Sequence, residues 1–452
     1  MASDPLPPDY YGSVNVTDWG LMVDYAPVVY FRPRDLDELA STLAFLIADP
    51  VNHGRIRILG GQHSCSDIFK SDIVIDLGGI PLEFTVDGNQ VVASAWMHAH
   101  DFLFRAAQHG LSLTALGGTD AQTLAGLIST NTAGATIHAS VYELVDWIEY
   151  LVPSGGRLDL RRVTRDEPAF QALICSLGCM GFLTRVGFTL VPQRFYQAGF
   201  TLEDNSNVLG NLQNTCDTHD FWRIEWLPRN DEKCLMWSAK AVAEAPVDGD
   251  YPADQMEALL KHYIKQEELK NHNGGFLDDA LEAVYQGMIP NYQPLAGKGP
   301  MRLMIPCDRL APLRCAMAEW SFNPADLARV QDVCRTYFNA KKWPNLAVEI
   351  ECTRTDSYLM SPWNWPGLPY IIKFNFQYLT LYLDDTEKAA IVTHLNGLWD
   401  ELNKAGIPFK AHWGKINFLT PHDVATRYQW EAFKPYVHPA FVNPYLSSRF
   451  GD

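Results

Sequence analysis

The sequence predicts an α+β fold, and three observations carry that reading. A helix, a short strand and a glycine run follow one another near the N-terminus; several further short strands and helices alternate up to Pro192; beyond about Gln193 the segments become longer and more aromatic, with fewer glycines. Leu36, Leu39, Leu43, Leu46 and Ile47 recur at helical spacing behind Pro33 and Asp35, and Ile56 to Leu59 reads as the strand that follows. Strands are expected at Ile73 to Leu77 and Val91 to Ser94, with a helix from Asp101 stopped by a left-handed Gly110. Val145 to Val152 and Leu158 to Leu160 flank Pro153-Ser154-Gly155-Gly156 as a hairpin, and Phe182 to Val191 alternates as a strand ended by Pro192. A domain boundary is placed near Gln193. After it, Asn323-Pro324 caps a helix with an apolar face of Leu327, Val330, Val333, Cys334, Tyr337 and Phe338. Two strands, Ala347 to Cys352 and Ile371 to Leu383, are joined by a loop containing Trp363 and Trp365.

Composition narrows the function. With 47% hydrophobic and 20% charged residues among 452, the chain has ample material for a packed core and is not a disordered polymer. Its net charge of −17 disfavours nucleic acid and anionic membrane as partners, because neutralising phosphates needs a concentrated basic surface. No run of apolar residues is long enough to span a bilayer, and the first residues have neither the basic start nor the apolar core of a signal peptide, so a cytoplasmic location is expected. The nine cysteines are scattered without a CxxC pair, which points to neither a disulfide framework nor a metal site.

Three glycine-punctuated segments carry the chemistry. In Gly60-Gly61-Gln62-His63-Ser64-Cys65-Ser66-Asp67, glycines directly after a strand let the backbone approach a ligand, and successive N–H groups can form a nest for phosphate. A structural turn with a surface histidine is the alternative. From Ala115 to Gly134, with Gly117, Gly118, Thr123, Gly126 and Ser129, small residues and hydroxyls are so dense that a flat ligand, rather than a hydrophobic element, is expected against them; a plain surface loop is the rival reading. Leu177-Gly178-Cys179-Met180-Gly181-Phe182-Leu183 is a third close approach before a strand.

These segments, in this order and with His412-Trp413-Gly414-Lys415 near the end, resemble the vanillyl-alcohol-oxidase type of flavoprotein, and within it the sugar-1,4-lactone and alditol oxidase branch. The resemblance implies an FAD-binding domain over residues 1–195, a substrate-binding cap over 196–415, and a return to the first domain over 416–452. It also implies that His63 carries FAD covalently. Gly60, Gly61, Gln62, Ser64, Cys65 and Ser66 would hold the cofactor's phosphates, Gly117, Gly118, Thr123, Gly126, Ser129 and Gly134 would run beside the flavin, and Gly181, Phe182 and Leu183 would touch it through backbone. Glu349 and Lys415 match catalytic positions, and Glu351, Lys373, Asn375 and His412 join them as substrate-facing residues. Gly117 corresponds to a small residue over the flavin, where glycine accompanies the oxidases and admits dioxygen.

The departures are specific. The branch's arginine two positions after the glutamate is Glu351 here, an anion in place of a cation, and its polyol-reading groups are largely replaced. The expectation is therefore an FAD-dependent oxidase of a carbinol group in a small-molecule substrate, without a metal, reoxidised by dioxygen to give hydrogen peroxide. The aromatic loop around Trp363 and Trp365 leaves open an oxidase that tailors a more hydrophobic product, and a non-catalytic flavin- or carbohydrate-binding scaffold is the rival from another class. Glu349 as a solvated strand residue and Lys415 as an interdomain ion pair also stay open.

Overall fold

In the computed structural model the described residues are 10–11, 14–48, 55–154, 157–226, 233–244, 295–305, 314–341, 347–380 and 383–451. Gly155 and Gly156, named above, and Cys307, one of the nine cysteines, lie outside them, as do residues 381–382 of the expected strand ending at Leu383.

Alternation of apolar and polar residues builds three larger sheets among the described residues, beside two two-stranded ones. The first has the order Tyr10–Tyr11, Val29–Phe31, Ile73–Asp76, Ile56–Leu59, the last three strands being parallel. Its apolar residues meet Leu39, Leu43 and Leu46 of helix Leu36–Ala48, the predicted helical stripe. A second sheet, entirely antiparallel, runs Arg157–Thr164, Val145–Ser154, Phe182–Thr189, Gln90–Ser94, Phe84–Asp87 and contains the predicted hairpin. Gly110 has φ +69°, as its place after helix Ala99–Gln108 requires.

The third sheet has eight antiparallel strands, all from residues 195–411, in the order Leu295–Pro300, Phe195–Asp204, Lys233–Val242, Phe221–Trp226, Val348–Arg354, Tyr370–Leu379, Cys315–Phe322, Phe409–Ala411. Period-2 alternation gives its central strands two unlike faces. Trp320, Phe374, Phe376 and Ile350 are fully buried, and the first three form an aromatic layer under helices Leu327–Lys341 and Asp385–Lys404; Trp320 meets Trp399 edge-on with ring centroids 5.3 Å apart. Residues one step along, Glu319, Glu349, Glu351, Lys373 and Asn375, face the other way. Asn323 caps the helical segment as expected, its side chain accepting from the Ala325 N–H.

The segment from Ala115 to Gly134 corrects an expectation. It contains a helix, Leu124–Thr130, whose Leu124, Leu127 and Ile128 are buried. Spacing of i, i+3, i+4 gives even this small-residue stretch one apolar stripe, and the Thr123 side chain caps it by accepting from the Gly126 N–H.

The C-terminal residues return to the first sheets. Phe441 packs edge-on to Phe182, and the Asn443 amide, fully buried, donates to the carbonyls of Asp67, Ile68 and Lys70.

Candidate functional site

Two cavities meet at His63. The first, a groove of about 120 Å³, is walled by Gly60, Gly61, Gln62, His63 and Ser64, by Thr123, Gly126 and Ser129, and by Gly181, Phe182 and Leu183. Backbone closeness explains the glycines. A Cβ on Gly61 would lie 2.5 Å from the Ala121 carbonyl oxygen, and one on Gly181, at φ +148°, 2.3 Å from that of Leu151. Gln62 itself is held at φ +58°. The loop is tied down by Trp19 N–H donating to the Gln62 carbonyl at 2.7 Å and Cys65 N–H donating to that of Gly414 at 2.8 Å.

Four of the residues expected at the cofactor line neither cavity. The Cys65 thiol is buried and turned to the Cys315 carbonyl, and burial pushes its pKa up to about 11. Ser66 donates to the Trp413 carbonyl. Gly117 faces the Thr132 methyl, which a Cβ would meet at 2.5 Å, and Gly134 is pressed on the Leu116 carbonyl. These four shape the loops behind the walls, whereas Gly118 does reach the second cavity. Arg57 was not singled out. It lines the groove at 7% exposure and donates to the Phe441 and Leu177 carbonyls at 3.0 and 2.6 Å, a buried cation facing a groove walled by backbone. Its place three residues before Gly60, on the strand that feeds the loop, was the available signal.

The second cavity, about 80 Å³, collects every expected substrate residue: Glu349, Glu351, Lys373, Asn375, His412 and Lys415. Its floor is a grid on one sheet face. Cross-strand partners run Glu225, Glu349, Asn375, Glu319 in one row and Arg223, Glu351, Lys373, Ser321 in the next. Within it Arg223 pairs with Glu349 at 2.6 Å, Asn375 donates to the other Glu349 oxygen at 2.8 Å, and Lys373 bridges Glu351 and Glu319. Arg223 supplies, from the neighbouring strand, a cation that position 351 does not. It and Glu319 went unpredicted because strand pairing is invisible along the chain; the alternation in Phe-Trp-Arg-Ile-Glu-Trp, with charges on one face of an aromatic strand, was the signal.

Burial and charge set the protonation states. Burial outweighs everything else at His63 and His412, holding both down to about 4, with the Lys415 ammonium acting in the same direction. His63 also stacks on Trp19 with ring centroids 5.6 Å apart. The Gly414 N–H donates to His412 Nδ1, so the neutral ring carries its proton on Nε2. Burial opposes charge on Lys373, but Glu351 and Glu319 outweigh it and raise its pKa. Lys415 rests against the Met317 sulfur at 3.1 Å, which excludes the ion-pair reading among the described residues. Glu349 is 6% exposed, which excludes a solvated strand position.

The aromatic loop does not line either cavity. Trp363 is 1% exposed, donating to the Asn131 carbonyl beneath Lys373, and Trp365 donates to Ser321 Oγ, so both brace the grid from behind.

Comparison with known proteins agrees with this geometry. A family model described as an FAD binding domain matches residues 27–161. The chain carries an FAD-binding domain. This flavin-binding chain is 28% identical over 231 residues to an L-gulonolactone oxidase of Bos taurus, the match covering 50% of this chain and 52% of that one. It is 27% identical over 232 residues to a D-arabinono-1,4-lactone oxidase of Candida albicans, covering 47% and 41%. The matched stretch thus spans about half the length of these relatives or less. Over 99% of the flavin-binding chain the fold superposes on cholesterol oxidase from Brevibacterium sterolicum, with TM-scores of 0.77 and 0.75 in two structures at 15% and 16% identity.

The groove fits FAD on its own terms. Glycines that admit no Cβ, backbone walls and the buried Arg57 cation suit a flat ring system joined to phosphates. Among the described residues no group of acids, histidines and cysteines could hold a metal ion, and no helix is long and apolar enough to cross a membrane.

Proposed function

We propose that the protein is an FAD-dependent oxidase of a carbinol group in a small, neutral polyhydroxylated molecule such as a sugar lactone or alditol. The single observation that carries this is the meeting of the two cavities at His63, which opens the glycine-walled groove onto a grid of three carboxylates, a guanidinium and two ammonium groups. Bound FAD supplies the two-electron acceptor for the hydride leaving the carbinol carbon and passes the electrons to dioxygen, giving hydrogen peroxide.

The chain's residues do the rest. Arg223 and Asn375 fix the Glu349 carboxylate, which accepts a hydrogen bond from a substrate hydroxyl. Lys415, within the same cavity as His63, stabilises negative charge that develops as the carbinol proton departs. The His412 Nε2–H is a neutral donor for a second oxygen. Stacked groups this polar cost too much to desolvate against a hydrocarbon, which disfavours a purely apolar substrate despite the likeness in fold to cholesterol oxidase.

Covalent attachment through His63 is part of the proposal. Its neutral ring is the nucleophilic form, it stands where groove and cavity join, and the neighbouring Cys65 thiol is turned inward. Acid-precipitated protein should remain yellow, with the flavin mass on the peptide containing His63; free FAD in the supernatant refutes the linkage. A screen of aldonolactones, alditols and aromatic alcohols, read by anaerobic bleaching of the flavin and by peroxide in air, tests the activity. Lys415→Ala should slow bleaching by about 100- to 1,000-fold, the loss expected for one such donor.

A further inference from the structure

The grid contains a carboxylate–ammonium–carboxylate unit that the reading above leaves without a task. Lys373, 2% exposed, sits between Glu351 and Glu319, so two anions share one cation. The set is one negative charge in excess inside a cavity, and a single added proton neutralises it. Glu351 gives one oxygen to Lys373, and no described residue bonds its other oxygen. At 19% side-chain exposure it is also the most open of the three cavity carboxylates, against 13% for Glu319 and 8% for Glu349.

The other candidates for taking a proton are weaker. Glu349 has Arg223 on one oxygen and Asn375 on the other, and a carboxylate matched by a guanidinium is a poor base. His63 and His412 are held down to about 4. Lys373 and Lys415 are donors only. We infer that Glu351 accepts the hydroxyl proton of the substrate, with Lys373 and Glu319 as its positioning residues.

This rests on the proposed oxidation of a carbinol. The substrate O–H bond breaks and its proton moves to the free Glu351 oxygen. That electron pair becomes the second carbon–oxygen bond as the C–H pair leaves as hydride to FAD, yielding a carbonyl product and a Glu351 carboxylic acid, which returns its proton to water. Burial and the nearby Glu319 charge both raise the Glu351 pKa, making it the stronger acceptor. The charged or titratable groups that share its cavity are Arg223 from Phe221–Trp226, Glu349 from its own strand, Lys373, Glu319, His63, and His412 and Lys415 from the turn after Phe409–Ala411.

The test is anaerobic stopped-flow reduction of the holoenzyme by L-gulono-1,4-lactone and by xylitol across pH. The native limiting rate should rise with pH through one ionisation and level off. Glu351→Gln should lower that rate by about 100- to 10,000-fold and abolish the rise, while Glu349→Gln should chiefly raise the concentration needed for half-saturation and keep it. A carboxylic-acid carbonyl band should appear in the infrared difference spectrum on product formation in the native protein and be missing in Glu351→Gln. A rise that persists in Glu351→Gln overturns the assignment alone. Failure of both carbinols, and of every alcohol in the screen, to reduce the native flavin overturns the proposed oxidation and this inference with it. If Glu351→Gln does not fold, Glu351→Asp decides: its shorter arm loosens the Lys373 contact, so a displaced ionisation supports the role and an unmoved one rejects it.

Discussion

Gly61 is the residue on which the proposed flavin entry turns. Its missing Cβ leaves 2.5 Å to the Ala121 carbonyl, a backbone atom that cannot rotate away. Gly61→Ala must push the His63 loop from the 121–122 segment, so the purified variant should contain less than about a tenth of the native flavin, on the scale of one to three kcal/mol for overpacking. Gly88→Ala is the control. Gly88 has φ +61° but open space around it, so alanine there costs about 1 kcal/mol of backbone strain and should leave flavin content unchanged. Equal flavin in Gly61→Ala and native protein would sink the groove as the flavin site. At this scale the sequence was legible where neighbours in the chain are neighbours in the site: Glu349 with Glu351, Lys373 with Asn375, and Gly60 with Gly61 each share a face or a turn. Arg223 and Glu319 were not, since each reaches the cavity through strand pairing with residues more than fifty positions away.

Helix Leu124–Thr130 shows what an element adds to its residues. Seven residues are too few for a helix to stand alone in water, so this one depends on its cap and on the buried stripe of Leu124, Leu127 and Ile128. The Thr123 hydroxyl accepts from the Gly126 N–H, and it also lies 3.1 Å from where a Gly60 Cβ would be, so the cap and the Gly60–Gly61 loop meet at one atom. Thr123→Ala should lower unfolding free energy by about 1 kcal/mol in urea titration and reduce flavin retention, while Thr123→Ser should restore both. A variant as stable as the native protein would show that packing alone holds the helix. Longer elements were legible because periodicity had room to repeat, as in Leu36–Ala48 and Leu327–Lys341; here composition dominated by small residues masked a three-residue stripe.

At the scale of the whole molecule, acid response follows from what is buried neutral. The return of the C-terminal residues to the first sheets, through Asn443 and its three carbonyl partners, was anticipated only through the resemblance, because no local pattern in residues 416–451 announces a distant partner. That closure buries the loops holding His63 and His412, and each folded-state pKa falls from the usual 6.5 to about 4. Between these values the unfolded chain binds both protons and the folded chain neither, so stability is lost as pH falls through that window. Asp356 works in the opposite sense. Burial raises its carboxyl to about 6, above its unfolded value, so between roughly pH 4 and 6 the folded chain holds a proton there that the unfolded chain releases. From these three groups the unfolded state binds about one proton more, a contribution of about 1.4 kcal/mol per pH unit to the unfolding free energy as pH increases from about 4.5 to 5.5. Asp356→Asn keeps the side-chain partners Asn131 and Ser361 within reach but removes the opposing proton, so its slope should be steeper than the native one by about 1.4 kcal/mol per pH unit. Urea unfolding at several pH values in that range measures both slopes. A variant slope no steeper than the native one would show that Asp356 does not keep its proton in the folded state.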